Sequence, residues 1–280
     1  MSETVAEALW LAARRLEAVS GSGRLDAELL MAEALGVTRS ELLLRHTADA
    51  VPERFAALVA RRERHEPVAY ILGRQEFFGR SFAVDRRVLI PRADSETTVE
   101  AALVAVPAPA RVLDCGVGSG ALLLSVLAER PGALGTGIDR SHDALACAAG
   151  NAVALGLAGR AALVQRDWHR AGWAADLGRF DLVLANPPYV EDAADLDPDV
   201  REWEPAGALF AGPEGLDDYR VLIPQLPALL ADGGAAVLEI GARQAAAVSD
   251  IAAGAGFAAV LHRDIAGRPR VLVLRLALGR

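Results

Sequence analysis

The sequence predicts an α/β protein: a mostly parallel sheet of seven strands with helices on both faces, finished by an antiparallel hairpin and preceded by a small helical bundle. Three observations predict it. Short apolar runs alternate with helical stretches from about residue 91 onward, and strands that return through a helix pair in parallel. The last two apolar runs are separated only by Asp264-Ile265-Ala266-Gly267-Arg268, too short for a crossover and suited to a hairpin. The first 66 residues instead carry apolar side chains at helical spacing.

Taken in order, the stretch from Glu3 to about Glu66 shows that spacing at Leu25, Leu29, Leu30 and Ala34, punctuated by Gly21-Ser22-Gly23 and Gly36, and predicts four or five helices. From Tyr70 to Ile90 a hairpin is expected, with Phe77-Phe78 and Phe82-Ala83-Val84 as strands about Gly79-Arg80-Ser81. The chain therefore divides into 1–66, a linker hairpin at 67–90, and 91–280. Sheet strands are expected at 111–115, 134–138, 161–166, 180–185, 234–240, 257–263 and 269–277.

Composition excludes several classes. With 280 residues, 52% of them hydrophobic, the chain can bury a sizeable core and a second small domain. The residues Met1 to Glu7 carry neither a basic nor an apolar leader, and charges interrupt every long apolar run, as Arg275 ends Val271-Leu272-Val273-Leu274, so neither a secretory signal nor a membrane span is expected. Two cysteines, Cys115 and Cys147, make no disulfide framework. His46, His65, His142, His169 and His262 are scattered without ligand spacing, so no metal site is expected. The net charge of −8, from 29 basic and 37 acidic residues, lacks the basic footprint of a nucleic-acid enzyme. Arg61-Arg62-Glu63-Arg64 reads as a solvated helix face.

The chemistry concentrates at Asn186-Pro187-Pro188-Tyr189, which ends the apolar run 180–185. Open α/β sheets bind ligands at such strand ends. An amide or aromatic NH₂ is a poor nucleophile because its lone pair is delocalised. If Asn186 Oδ1 and the Pro187 carbonyl each accept one of its hydrogens, the nitrogen is oriented toward an electrophile, and the Tyr189 ring can lie on the amide plane. Pro187 and Pro188 fix φ near −65° and stiffen the grip.

A second motif, Asp114-Cys115-Gly116-Val117-Gly118-Ser119-Gly120, joins a short strand to an apolar helix. Its glycines allow close approach of backbone to ligand. Gly116, Gly118 and Ala121 satisfy a loose dinucleotide pattern, and Asp139 at the end of the next strand suits ribose hydroxyls, so NAD and S-adenosylmethionine both remain open at this point. Asp167 and Trp168 end a third strand and suit an adenine amine and its flat face. Methyl transfer makes use of the whole set, since the sulfonium methyl is the electrophile that Asn186's nucleophile needs.

On these motifs the chain resembles the bacterial protein-(glutamine-N5) methyltransferases that modify peptide-chain release factors, the HemK/PrmC family. The resemblance extends through Pro67-Val68-Ala69-Tyr70-Ile71-Leu72-Gly73, Glu76-Phe77-Phe78-Gly79, Val88 to Glu96, Glu204 to Leu209 and Gly212 to Asp217. Cys115 and Val117 stand where the family has Leu and Thr, and Ala93 and Ser95 where it tends to have Pro and Thr. The resemblance implies the class I S-adenosylmethionine-dependent methyltransferase fold, Rossmann-like, with residues 1–66 recognising substrate.

It further implies that Gly116, Val117, Gly118, Ser119 and Gly120 wrap the cofactor's methionine part. Asp139 would take the ribose, Asp167 with Trp168 would flank the adenine, and Asn186 would border both cofactor and substrate. The grip Asn186, Pro187, Pro188 and Tyr189 would hold the glutamine of a Gly-Gly-Gln loop, giving N5-methylglutamine and S-adenosylhomocysteine. A cytoplasmic monomer is expected, partnered by release factors and not directly by nucleic acid or membrane. Two rival substrates share the grip: a ribosomal-protein glutamine, and the N6 amine of adenine in DNA. The long acidic stretch from Glu191 to Pro213 is expected to border the substrate entrance.

Overall fold

The computed structural model describes residues 4–277, which fall into two compact units: 4–74 with Leu196–Trp203, and Gln75–Asp195 with 204–277. The first contains α1 (Val5–Glu17), α2 (Gly23–Leu35), α3 (Arg39–Arg45), α4 (Phe55–Arg62) and α5 (Val68–Leu72). Reciprocal capping boxes, Thr4 with Glu7 and Thr38 with Glu41, satisfy the first N–H groups of α1 and α3. The buried face comprises Val5, Ala12, Leu16, Leu30, Met31, Leu42, Phe55 and Val59. Leu25 lies on the solvent side of α2.

Arg62 departs from the solvated face expected of its run. Its side chain is buried, with Nε donating to Asp26 Oδ2 at 2.8 Å, and Nη1 donating to the Glu66 carbonyl at 3.3 Å. Asp199 adds a second carboxylate at 3.5 Å. Asp26 accepts from Ser20 and Ser22 as well, so the buried charges are fully hydrogen-bonded, which is the condition for tolerating them.

The second unit opens with the hairpin of β1 (Arg74–Phe77) and β2 (Arg80–Ala83). Its two-residue turn is Phe78-Gly79, both at positive φ (50° and 69°), the type I′ geometry that matches strand twist. The expected turn, Gly79-Arg80-Ser81, lies one residue late at its start and two at its end: Phe78 belongs to the turn, Arg80 and Ser81 belong to β2, and Tyr70 to Leu72 are helical. Then come α6 (Glu96–Ala105), β3 (Arg111–Cys115), α7 (Ala121–Glu129), β4 (Leu134–Asp139), α8 (His142–Ala154), β5 (Ala161–Gln165) and β6 (Phe180–Ala185). After a single turn α9 (Pro198–Arg201), which belongs to the first unit, follow α10 (Asp217–Leu222), α11 (Leu226–Leu229), β7 (Leu230–Glu239), α12 (Ala245–Gly254), β8 (Phe257–Arg263) and β9 (Pro269–Leu276).

The seven sheet strands lie in the order β5-β4-β3-β6-β7-β9-β8, parallel through β7 and antiparallel in the last two pairings. This is the mixed sheet that the sequence predicts. The strand β7 begins at Leu230, four residues early, because Ala231 to Gly234 loop out of register while Leu230 still pairs with Phe180. Alternate residues face opposite sides. Val112, Leu182 and Leu184 pack toward α6, α7 and the hairpin phenylalanines, whereas Leu113, Cys115, Val183 and Ala185 pack toward Tyr219, Leu226 and Val248. Both faces being apolar is why these strands read as continuous hydrophobic runs.

The order of strands reverses between β3 and β6. In their pairing Cys115 lies opposite Ala185. The residues that follow, Gly116 and Asn186, therefore leave the sheet side by side at the switch point.

Gly137 in β4 makes room for the loop above it, since a Cβ there would stand 2.7 Å from Val117 Cγ2 and 2.8 Å from Leu163 Cδ2. Gly137→Ala should cost about 1–3 kcal/mol by overpacking. Chemical denaturation of the single and double variants should show Val117→Ala relieving part of that cost, and strict additivity would contradict the contact.

Candidate active site

One cleft runs along the carboxyl ends of β3, β4 and β6. It is lined by Gly116, Val117, Gly118 and Ser119 from the loop after β3, by Asp139 to Ser141 after β4, by Trp168, and by Asn186 and Pro188 after β6. The cleft thus gathers both sequence motifs. Gly120, Pro187 and Tyr189 adjoin it in the chain without lining it, and Asp167 does not line it.

The glycine loop is held by backbone hydrogen bonds. Gly116 and Val117 N–H both donate to the Ile138 carbonyl, at 2.9 and 2.8 Å. Gly118 N–H donates to Asp139 Oδ2 at 3.1 Å, and the other carboxylate oxygen accepts from Ser141 N–H at 2.8 Å. Asn151 on α8 closes the arrangement, its Nδ2 donating to the Ser119 carbonyl and its Oδ1 accepting from Ala83 N–H. Gly116, Gly118 and Gly120 all have positive φ (84°, 53° and 87°). At Gly120 a Cβ would also meet Leu124 Cδ1 at 2.8 Å, so this glycine serves packing into α7.

Trp168 forms one wall. Its ring lies against Gly116, where a Cβ would come within 3.3 Å of it, and its Nε1 donates to Asp218 Oδ1 at 2.9 Å. His169 Nε2 shares that oxygen, also at 2.9 Å. Asp167 turns to its own chain, accepting from His169 N–H at 3.0 Å and facing Arg170 at 3.7 Å.

Asp114, which opens the glycine motif, has no role that its sequence position announces. It lies at the floor of the cleft, buried, with Oδ2 accepting from Leu123 N–H at 3.2 Å and Oδ1 without a hydrogen-bond partner. Burial raises its carboxyl to about 7, with Asp139's charge adding to the effect. A buried acceptor left open beside a cleft suits a cationic ligand.

The opposite wall comes from Val88, Leu89, Pro91, Arg92 and Ser95 and from Pro205, Gly207 and Ala208. Glu204, buried, joins the two by accepting from Ile90 N–H at 3.2 Å and pairing with Arg92. Arg140 donates to the Gly207 carbonyl. Both segments were visible in the sequence as stretches of resemblance, but nothing in their spacing says that they face each other. The loop from Glu191 to Pro213 closes at its base through Val190 N–H to the Leu209 carbonyl (2.8 Å) and Ala211 N–H to the Val190 carbonyl (2.9 Å), and only its later part borders the cleft.

The phenol of Tyr189 donates to Glu239 Oε1 at 3.4 Å, and burial holds it above its ordinary pKa. It borders a second cavity, with Arg92, Asp94, Glu239 and Arg270. Cys115 is buried, its thiol pushed upward by desolvation, which suppresses thiolate reactivity. Among the described residues no group of three His, Cys, Asp or Glu could hold a metal, and no helix is long and apolar enough to cross a membrane.

Residues 7–73 match the family model of the PrmC N-terminal domain, and residues 92–202 match that of the methyltransferase small domain. The release factor glutamine methyltransferase of Rhodospirillum rubrum is 42% identical over 259 residues, spanning 90% of this chain and 78% of its own. That of Cereibacter sphaeroides is 44% identical over 279 residues, spanning 97% and 98%. Among solved structures, a ribosomal protein L11 methylase from Lactobacillus delbrueckii subsp. bulgaricus shares the fold at a TM-score of 0.50 and 23% identity, over 68% of this chain and 82% of that one.

The raised Asp114 carboxyl sets a pH dependence. The folded protein holds this proton to about pH 7, while an unfolded aspartate releases it near pH 4. This residue's contribution to stability therefore falls as pH rises from about 4 to about 7 and is level above that. Thermal unfolding of wild type against Asp114→Asn should show the difference moving in the variant's favour across that window. A difference independent of pH would contradict the buried, unpaired carboxyl.

Proposed function

The chain belongs to the release factor glutamine methyltransferase family, and from that premise we propose that it moves a methyl group from S-adenosylmethionine to the N5 amide of the glutamine in a release factor's Gly-Gly-Gln loop. The observation that carries the reading is the β3–β6 register, which sets the glycine loop and Asn186 on one cleft.

The residues present fit the cofactor. Asp114 Oδ1, buried and unpartnered, supplies an acceptor for its ammonium group. Gly116, Val117, Gly118 and Ser119 give a close backbone wall, and the Trp168 ring offers a flat apolar surface for adenine. Asp139 has each oxygen in one backbone hydrogen bond, and a carboxylate oxygen has capacity for another, as a ribose hydroxyl requires. Val117 presents methyls where the family's Thr presents a hydroxyl, so affinity and not the site itself should differ. When bound, S-adenosylmethionine supplies an electrophilic methyl on a sulfonium centre.

The protein's part is orientation. Asn186 Oδ1 and the Pro187 carbonyl accept the two hydrogens of the glutamine amide, which fixes the nitrogen and raises its electron density on the open side. Pro188 restricts the residue before it, and Tyr189 packs on the amide plane. Tyr189 stays protonated, its phenol raised by burial and by the Glu239 charge, so it does not act as a base. None is needed before attack, because the amide nitrogen gives up one proton to solvent after the new N–C bond has formed and the methyl's bond to sulfur has broken.

Incubation of purified release factor with the enzyme and S-adenosylmethionine should add one methyl to the Gly-Gly-Gln glutamine by peptide mass spectrometry. An unmodified glutamine beside demonstrated cofactor binding would overturn the substrate. Asn186→Ala should lower kcat by at least about a hundredfold while calorimetry shows cofactor affinity nearly unchanged. Full turnover in that variant would sink the amide grip. Asp139→Ala should behave oppositely, weakening cofactor binding by about tenfold or more through loss of one or two charge-assisted hydrogen bonds.

A further inference from the structure

The grip works only if Tyr189 is held still, yet Tyr189 follows two prolines at the start of a loop, and the pairing nearest to it is the single bridge of its neighbour Val190 to Phe210. What fixes it comes from another part of the chain. The turn after β7, Glu239 to Gln244, meets Tyr189 at both ends.

At the main-chain end, Gln244 Nε2 donates to the Tyr189 carbonyl at 3.0 Å and to the Gly215 carbonyl at 3.0 Å, while its Oε1 accepts from Gly241 N–H at 3.0 Å. Both amide hydrogens are thus committed to main-chain oxygens of two different segments. The approach is close enough to dictate a glycine: Gly215 has φ +65°, and a Cβ there would stand 2.3 Å from the Tyr189 carbonyl oxygen and 2.8 Å from Gln244 Nε2. At the side-chain end, the Tyr189 phenol donates to Glu239 Oε1, and the same carboxylate is held by Thr98, whose hydroxyl donates to Oε2, and by Ser95. The turn is itself anchored, since the buried Tyr219 donates its hydroxyl to the Glu239 carbonyl at 2.8 Å. Gln244 does not line the cleft and carries no group that the reaction uses.

We propose that Gln244 is a positioning residue that aims the Asn186–Tyr189 grip by tying the Tyr189 carbonyl to the turn after β7, with Gly215 completing the junction. The inference rests on the proposed role of Tyr189 against the substrate amide. It assigns to Gln244 a share of kcat and none of cofactor binding.

The test is steady-state methylation of a purified release factor by wild type, Gln244→Met, Gln244→Glu and Gly215→Ala, with S-adenosylmethionine affinity measured by calorimetry for each. Methionine keeps the length of the side chain and removes both donors. Glutamate keeps the shape and sets a carboxylate against two carbonyl oxygens. Both should lose about tenfold to a hundredfold in kcat, the scale expected when a reacting group is displaced by a fraction of an ångström. The Gly215→Ala variant should follow them, since its methyl displaces the same carbonyl. Cofactor affinity should stay within about twofold throughout, which also certifies the fold.

A Gln244→Met enzyme with wild-type kcat would overturn the proposal. So would a kcat loss matched by an equal loss of cofactor affinity, which marks a general structural role. A wild type that leaves the glutamine unmethylated would overturn the functional reading and this inference with it, whereas a working wild type beside an unimpaired Gln244→Met removes the inference alone.

Discussion

The parallel pairing of β3 with β6, Cys115 opposite Ala185, is the constraint from which the site follows. A slip of one residue would turn Leu113, Cys115, Val183 and Ala185 from one apolar layer to the other and rotate the loop after each strand away from its neighbour. Burial on both faces makes that slip expensive, because each of these side chains is essentially inaccessible to solvent. The core therefore positions the chemistry. Hydrophobic packing against α7 on one side and α10 to α12 on the other fixes the register, and the register delivers Gly116 and Asn186 to the same cleft.

Polar contacts then set the loops that the strands deliver. Asn151 ties the glycine loop to the hairpin, Glu204 ties the segment at Ile90 to the wall beyond, and Gln244 ties Tyr189 to Gly215. Each is a buried or half-buried group with its hydrogen-bonding capacity committed, worth about 1 kcal/mol per bond in net stability and more in the uniqueness of the arrangement. Asp114 is the exception. It keeps one oxygen open in a buried position, a cost in the empty protein that a cationic ligand offsets.

Much of this was legible in the sequence, and for identifiable reasons. Strands such as Arg111–Cys115 and Phe180–Ala185 are short apolar runs bounded by glycine or proline, so the pattern marks their ends closely. The two motifs at those ends point to a nucleoside cofactor and a planar NH₂, of an amide or an aromatic amine. What the sequence withheld is non-local. Nothing near Val88 to Arg92 says that Glu204 receives it, and nothing near Arg62 says that Asp26 and Asp199 bury it, since a charge run looks solvated until its partners are found. The hairpin turn is Phe78-Gly79 and not Gly79-Arg80-Ser81, because Phe78 occupies a positive-φ turn position where glycine or asparagine is usual, so that Arg80 and Ser81 pair in β2. Asp167 reads as a ligand because it ends a strand; in the structure its Oδ1 accepts from His169 N–H and it does not line the cleft.

The most direct measurement is a crystal structure of the protein with S-adenosylhomocysteine and a release factor whose Gly-Gly-Gln loop occupies the cleft. The glutamine nitrogen should lie about 3 Å from both Asn186 Oδ1 and the Pro187 carbonyl, with the cofactor sulfur on the nitrogen's open side and its ammonium beside Asp114. A glutamine side chain seated in the second cavity behind Tyr189, or a cofactor bound away from the Gly116–Ser119 wall, would contradict this placement.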